Sequence, residues 1–310
     1  MTDGTTDRAA LYVRIFGGLG NQLFQYAAGL AAARRWGAEL VLDATTGDRG
    51  SAGHPRRFML DAFDLPARRY DPAGAERVLW KLATSRDPRL RPVAGLAGAV
   101  RRVVRIDERT DHGPDPQLAG PPPRGAVSLV GYWQCAAYAA ACEAELRRHL
   151  RFRRPPAGAN AATLDLIRDE PAAVSVHVRR GDYLALADSP VLDPGYYREA
   201  AALVAARVER PRFFVFSDTP AWARETLRLG HPTVFVESNG EDAADEDLRL
   251  MAACRHHVAA NSSFSWWAAW LAASADQIVV APKYWMMRSD THYPDLAPPS
   301  WTLLDNRRPA

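Results

Sequence analysis

The second half of the chain alternates between short apolar runs and longer amphipathic stretches. The runs, largely β-branched or aromatic, fall at Val174–Val178, Phe213–Phe216, Val234–Val236, His257–Ala260 and Ile278–Ala281. Between them, apolar residues recur at helical spacing over Tyr196–Val208, Ala221–Leu229, Glu246–Cys254 and Phe264–Ala273. Runs that are apolar almost throughout predict strands buried on both faces. Helices of this length between them predict parallel crossovers. The first half opens on the same rhythm, with a strand at Leu11–Phe16, a helix over Asn21–Trp36 and a strand at Glu39–Leu42.

The middle is less regular. Gly47–Pro55 and Asp111–Gly125 are rich in Gly, Pro and Asp and predict surface loops of the kind that move. Helical spacing returns at Ala75–Leu82 and Ala136–Leu150, with a strand at Ala126–Val130 between them. The stretch RRPPAGAN, Arg153–Asn160, predicts a linker. The expected architecture is therefore α/β, with two Rossmann-like domains facing a cleft. They divide as 1–155 and 156–310, and the tail is free to return to the first domain.

Composition narrows the class. A 310-residue chain that is 47% hydrophobic and 24% charged is long and apolar enough for two folded domains. A net charge of +3 leaves no electrostatic footprint for nucleic acid. Lys81 and Lys283 are the only lysines, so arginine is the default cation here and carries little information by itself. Cys135, Cys142 and Cys254 have neither metal nor disulfide spacing, which fits a reducing compartment. The N-terminal MTDGTTDR lacks the features of a signal peptide, and no apolar run nears the roughly 20 residues of a membrane span. A cytoplasmic location without a transmembrane segment is expected, and contact with a membrane surface stays open.

In open α/β sheets, ligands bind where strands end and loops enter helices. The strand at Val174–Val178 ends in HVRRGDY, so His177, Arg179 and Asp182 fall at such a rim. Strand alternation puts His177 and Arg179 on one face and Val178 and Arg180 on the other. Adjacent guanidiniums there suit a diphosphate, against the plainer reading of surface ion pairs. A second rim follows His257–Ala260, where Asn261, Ser262, Ser263 and Phe264 open a helix. Its amides and hydroxyls suit an anion, against simple N-capping by a serine. Trp266, Trp267 and Trp270 in that helix fit core packing.

The turn after Leu11–Phe16 is glycine-rich. Gly18 and Gly20 match the first two glycines of a dinucleotide fingerprint, but Leu23 stands where the third belongs. Asp43, ending the next strand, is placed where a ribose-binding acid could lie, which keeps a nicotinamide-dependent oxidoreductase in contention. Asn21 and Gln22 put amides at the helix start that such a loop does not need. Asp245-Glu246-Asp247 has an Asp-x-Asp form known from metal-dependent sugar transferases. It opens a helix, however, where acids are favoured by the dipole, and no metal site is expected.

Taken in order, GGLGNQLFQYAAG, GYWQ, HVRRGDY, FFVFSDTPAW, EDLRLMAACRHHVAANSSFSWWAAWL and APKYW resemble the bacterial alpha-1,2-fucosyltransferases of glycosyltransferase family 11. The resemblance implies a GT-B-like fold and inverting transfer of L-fucose from GDP-β-L-fucose to the 2-hydroxyl of a galactose in a glycan acceptor, with no cofactor or essential metal. Carried over residue by residue, Arg179 matches the arginine on the β-phosphate and His177 a residue beside the nucleotide. Asp247 matches an acid on guanine, and Ser262, Ser263 and Phe264 the phosphate-facing turn, which Asn261 precedes. Gly18, Asn21 and Gln22 fall on the side of the transferred sugar and acceptor. Asp182 is the nearest carboxylate for a general base and equally a candidate to orient Arg179. A sugar-nucleotide-binding protein without catalysis is the remaining alternative.

Overall fold

The computed structural model describes residues 9–45, 57–85, 87–110, 112–185, 191–272, 274–286 and 293–307. The chain divides into two compact units, Met1–Arg151 and Phe152–Ala310. The Gly47–Pro55 loop lies outside the described residues.

The first unit contains β1 (Ala10–Arg14), α1 (Leu19–Trp36), β2 (Glu39–Asp43), β3 (Arg68–Tyr70), α2 (Gly74–Ala83), α3 (Arg91–Arg101), β4 (Val103–Asp107), α4 (Pro116–Ala119), β5 (Ala126–Val130), α5 (Ala136–Ala141) and α6 (Glu143–His149). Its sheet has the order β3-β2-β1-β5-β4, with every neighbouring pair parallel. The chain winds outward from β1 to β3 and then crosses back, so the winding direction reverses between β1 and β5. Helix α1 ends on Gly37, whose φ of 63° lets its amide fold back onto the carbonyls of Ala33 and Arg34.

The second unit contains α7 (Gly158–Arg168), β6 (Ala173–Val178), α8 (Pro194–Ala205), β7 (Arg212–Ser217), α9 (Pro220–Thr226), β8 (Thr233–Val236), α10 (Ala244–Ala253), β9 (His256–Val258), α11 (Ser263–Leu271), β10 (Val279–Pro282) and β11 (Thr302–Leu304). The order β11-β10-β9-β6-β7-β8 is again parallel throughout. Here the reversal lies between β6 and β9. Val174, Val176 and Val178 point into a core built with Tyr196, Tyr197 and Val204 of α8. That face fixes where the alternate residues must go. Two parallel α/β sheets are as expected.

Several expectations need correction. Helix Ala136–Leu150 breaks at Cys142 into α5 and α6. Within the Asp111–Gly125 stretch, residues 112–125 gather around Asp115, which is 2% exposed. One Asp115 oxygen accepts the Arg109 amide at 2.7 Å and the other caps α4 through the Gln117 amide at 2.9 Å. The linker is shorter than RRPPAGAN, because α7 already begins at Gly158 and Arg249 clasps the segment before it. The Arg249 guanidinium lies 4.2 Å from the Phe152 ring centre and donates to the Arg154 carbonyl at 2.7 Å. Over Thr302–Leu304 the tail pairs with β10.

Candidate active site

The Arg179 site forms where the second sheet changes direction. Strand β6 delivers its charged end beside the turn from β9 into α11, the crevice in which doubly wound sheets bind ligands. Alternation holds through the strand. With Val178 in the core, His177 turns the other way, and its ring sits 5.4 Å from that of Phe264 in the first turn of α11. Beyond the strand, the Arg180 guanidinium lies on the Trp222 ring at 4.8 Å. Arg180 is thereby held on Trp222, while Arg179 turns to the carboxylates of Asp182 and Asp218.

Arg179 is clasped between two carboxylates. Its Nη2 donates to Asp182 Oδ2 at 2.6 Å, and its Nη1 lies 3.2 Å from Asp218 Oδ2. Burial alone would lower the Arg179 pKa; Asp218 and Asp182 outweigh it, and the net shift is upward. Asp218 also accepts the Arg180 amide through Oδ1 and the Gly181 amide through Oδ2, each at 3.0 Å. It thus ties the loop backbone and the guanidinium together. Burial raises the Asp218 pKa although Arg179 and those two amides oppose it.

The other site residues are equally specific. Burial, with Arg179 adding to it, pushes His177 down to about 3, so its ring is neutral at ordinary pH. Its Nδ1 is buried without a hydrogen-bond partner among the described residues, an arrangement a ligand atom could complete. Ser262 caps α11, its hydroxyl accepting the Phe264 amide at 3.3 Å. Asn261 is 1% exposed and donates to the Trp285 carbonyl, while its own carbonyl accepts the Tyr183 hydroxyl at 2.9 Å. Tyr183 in turn lies under Arg179, 5.6 Å from guanidinium carbon to ring centre. The β6 loop and the β9–α11 turn are thereby locked to each other.

Asp247 stands apart from that cluster, in the first turn of α10. It accepts from Asn239 Nδ2 at 2.7 Å, and Asn239 exchanges amide hydrogen bonds with Asn160 at 2.9 Å. Burial pushes the Asp247 carboxyl up to about 6; Asn239 opposes the rise, and Asp245 and Glu246 add to it. Glu246 is engaged by Arg249 at 3.0 Å. No group of three metal-ligating side chains occurs among the described residues.

The first unit has a second site at its own reversal, between β1 and β5. Gly17 takes a φ of 76°, and a Cβ there would come within 2.9 Å of Asn21 Nδ2. At Gly18, the N-cap of α1, a Cβ would meet nothing within 4 Å, so the space above it is open. Asn21 Oδ1 accepts from Gln134 Nε2 at 2.8 Å, which joins the turns after β1 and β5. Tyr132, 44% exposed, packs at a tilt against Phe16 at the same edge, with ring centres 5.0 Å apart. Glu108 holds this turn by accepting the Tyr132 and Trp133 amides at 2.7 and 2.8 Å.

Three candidate roles change. Gln22 is fully buried, and its amide spans the Gly17 carbonyl, the Arg57 carbonyl and the Met59 amide at 2.8–2.9 Å. It shapes the turn and does not face a ligand. Asp43 is also fully buried, accepting from Trp80 Nε1 at 2.8 Å and from Thr45 at 2.6 and 3.0 Å, so it cannot bind a ribose. With Leu23 packed at 0% exposure in place of the third glycine, the dinucleotide site is absent from this turn. Asp182, ion-paired at 2.6 Å, has the geometry of a group that orients Arg179. The residue missed was Asp218. Its signal was an acid one position beyond β7, the strand next to β6.

An Escherichia coli protein named alpha-1,2-colitosyltransferase is 28% identical over 94% of this chain and 98% of its own. The Escherichia coli O-antigen biosynthesis glycosyltransferase WbnK is 27% identical over 89% of this chain and 94% of its own. Galactoside alpha-(1,2)-fucosyltransferase 1 of Saimiri sciureus is 38% identical over a shorter stretch, 35% of this chain and 31% of that one. Among solved structures, fucosyltransferase NodZ from Bradyrhizobium shares the fold with a TM-score of 0.50 at 18% identity, over 85% of this chain and 92% of its own. The pattern of glycosyl transferase family 11 matches residues 113–304, well over half the chain and the whole of the Arg179 site, and the chain belongs to that family.

Proposed function

We propose that the chain moves L-fucose from GDP-β-L-fucose to the 2-hydroxyl of a galactose in a glycan, with inversion and without a metal. The observation that carries this is the Arg179 clasp beside the α11 N-terminus at the β6–β9 reversal. Breaking the bond from sugar to diphosphate leaves negative charge on the β-phosphate. A guanidinium fixed in advance by two acids, together with the first-turn amides of α11, can stabilise that charge without reorganising. His177, neutral, contributes a hydrogen-bonding nitrogen and no charge. Asp247, with Asn239 and Asn160 behind it, is assigned to guanine, whose edge offers N–H donors to a carboxylate. The Gly18–Asn21–Tyr132 site of the first unit is assigned to the sugar and acceptor.

A second donor has support of its own. A relative that covers nearly the whole chain is named for colitose transfer, whereas the match to the Saimiri fucosyltransferase covers about a third of it. GDP-colitose is therefore the alternative donor on the same site. The deciding assay offers GDP-fucose and GDP-colitose to the purified chain over an array of galactose-terminated acceptors, with EDTA present. Transfer of fucose in EDTA is expected. Turnover of neither sugar, or turnover abolished by EDTA and restored by manganese or magnesium, would overturn the proposal. A preference for colitose would change the donor and leave the clasp in its role.

A further inference from the structure

Among the described residues, six of the nine exposed large apolar side chains lie on one stretch: Val78, Leu79, Val93, Leu96, Val100 and Val104. Val93, Leu96 and Val100 follow one face of α3, and the last two are 69% and 77% exposed. The inward side of this helix is built from small residues. Gly98 is buried, and a Cβ there would lie 3.2 Å from the Val103 carbonyl oxygen. Helix α3 packs against α2 and β4, so its larger side chains face solvent. Exposed apolar side chains gathered on adjacent elements in this way mark an interaction surface.

The same stretch is strongly basic. Gly74 through Asp107 contains eight Lys and Arg against three acids, a surplus of five, in a chain whose whole surplus is three. The rest of the protein is therefore slightly acidic. Lys81, Arg89 and Arg102 are exposed on this hairpin. Beside α3, a recess of about 720 Å³ is lined by Gly95, Gly98, Arg102, Arg105 and Arg124 and by one acid, Asp107, which pairs with Arg105 at 2.7 Å.

We propose that the α2–α3 hairpin docks on an anionic phospholipid bilayer. The aliphatic tips of Val93, Leu96 and Val100 enter the headgroup–acyl boundary, and the surrounding cations meet lipid phosphates. Two copies of the chain joined through this face would oppose two positive surfaces. The core of a protein interface is depleted of charge, which this hairpin is not. A nucleic-acid backbone would meet the cations and leave the aliphatic row in water. Only an anionic bilayer satisfies both features. The proposal does not depend on the identity of the sugar donor.

The test is co-sedimentation of the full chain with vesicles of phosphatidylcholine alone and of phosphatidylcholine with about one-third phosphatidylglycerol. Binding to the anionic vesicles only is expected. It should be lost when ionic strength rises from about 0.1 M to about 1 M, as the screening length falls from about 10 Å to about 3 Å. Each basic residue near such a surface contributes about fivefold to partitioning, so Arg89→Glu with Arg102→Glu should weaken binding at least tenfold. Leu96→Asp with Val100→Asp should do the same, and thermal melting should stay unchanged because all four side chains are exposed. Equal binding to both vesicles, no binding to anionic vesicles at low salt, or unaltered binding by the variants would overturn the proposal. So would a lipid-free dimer that the Leu96→Asp and Val100→Asp pair dissociates, since the face would then belong to a second copy.

Discussion

Replacing Asp218 by Asn tests whether the clasp around Arg179 is what prepares the site. The carboxylate makes three contacts at once: the Arg180 amide at 3.0 Å, the Gly181 amide at 3.0 Å and Arg179 Nη1 at 3.2 Å. All three partners are donors. An asparagine keeps one acceptor oxygen and must turn its own NH₂ toward at least one of them. One charge-assisted bond is lost, which costs about 1.5–3 kcal/mol, and a donor–donor contact replaces it. The ion-pair contribution is discounted because both side chains keep some solvent, at 22% and 17% exposure. A net destabilisation of about 2–3 kcal/mol is expected. Arg179 retains Asp182 at 2.6 Å, so it stays charged and nearby but is no longer fixed from both sides. Misplacement of such a group by about 1 Å can cost up to about 10²-fold in turnover. Thermal melting, GDP calorimetry and transfer rates measured well below the melting point separate the two effects. An Asp218→Asn protein that melts and transfers like the wild type would refute the clasp. One that is destabilised but transfers normally in the cold would reduce Asp218 to a structural loop anchor.

Other outcomes follow from the same geometry. Asp182→Asn should weaken GDP binding as well as transfer, because it loosens Arg179; loss of transfer with GDP affinity intact would restore Asp182 as the base. Asp247, raised to about 6, should be only about one-tenth ionised at pH 5, so GDP affinity should fall below pH 6 more steeply in the wild type than in Asp247→Asn. The variant controls for titration of the phosphate itself, and parallel curves would remove Asp247 from the guanine site. The stability effect has the opposite sign. A carboxyl whose folded pKa is raised favours folding at acid pH, so its contribution is present below about pH 4 and lost as pH rises through about 6. Gln22→Ala removes the partner of two part-buried carbonyls and one part-buried amide, and should cost about 1–3 kcal/mol in a urea melt; a change under about 0.5 kcal/mol would show that those groups find other partners.

What the sequence disclosed depended on how local the physics was. Strand β6 was readable because a strand buried on both faces is apolar almost throughout, and its abrupt change to charge at Arg179 marked the rim. The β9–α11 turn was readable because Ser262 caps its helix through a neighbour two residues away. Helix α3 was not readable, since RPVAGLAGAVR buries Gly98, half-buries Ala94 and Ala97 and exposes Val93, Leu96 and Val100, the reverse of the usual pattern. Strand β3 is three residues long, begins with two exposed arginines and carries no apolar run. Gln22 was misassigned because its partners Arg57 and Met59 lie more than thirty positions away. Asp43 was misassigned for a similar reason, its partner Trp80 standing on α2. Asp218 acts on backbone that precedes it by 37 and 38 residues, a relation only the parallel pairing of β6 with β7 creates.

The central claim is that Arg179 meets the diphosphate of a guanine nucleotide and stabilises it as it leaves. Titrating GDP calorimetrically into wild type, Arg179→Ala, Arg179→Lys and Arg180→Ala, with transfer rates measured beside each, tests it most directly. Arg179→Ala should lose GDP affinity and about 10²-fold or more in turnover. Arg179→Lys should recover little, because one ammonium cannot reproduce a two-pronged contact. Arg180→Ala, whose guanidinium lies on Trp222, should stay near wild type in both. Normal GDP affinity and turnover in Arg179→Ala, with Arg180→Ala the damaged protein, would contradict the account.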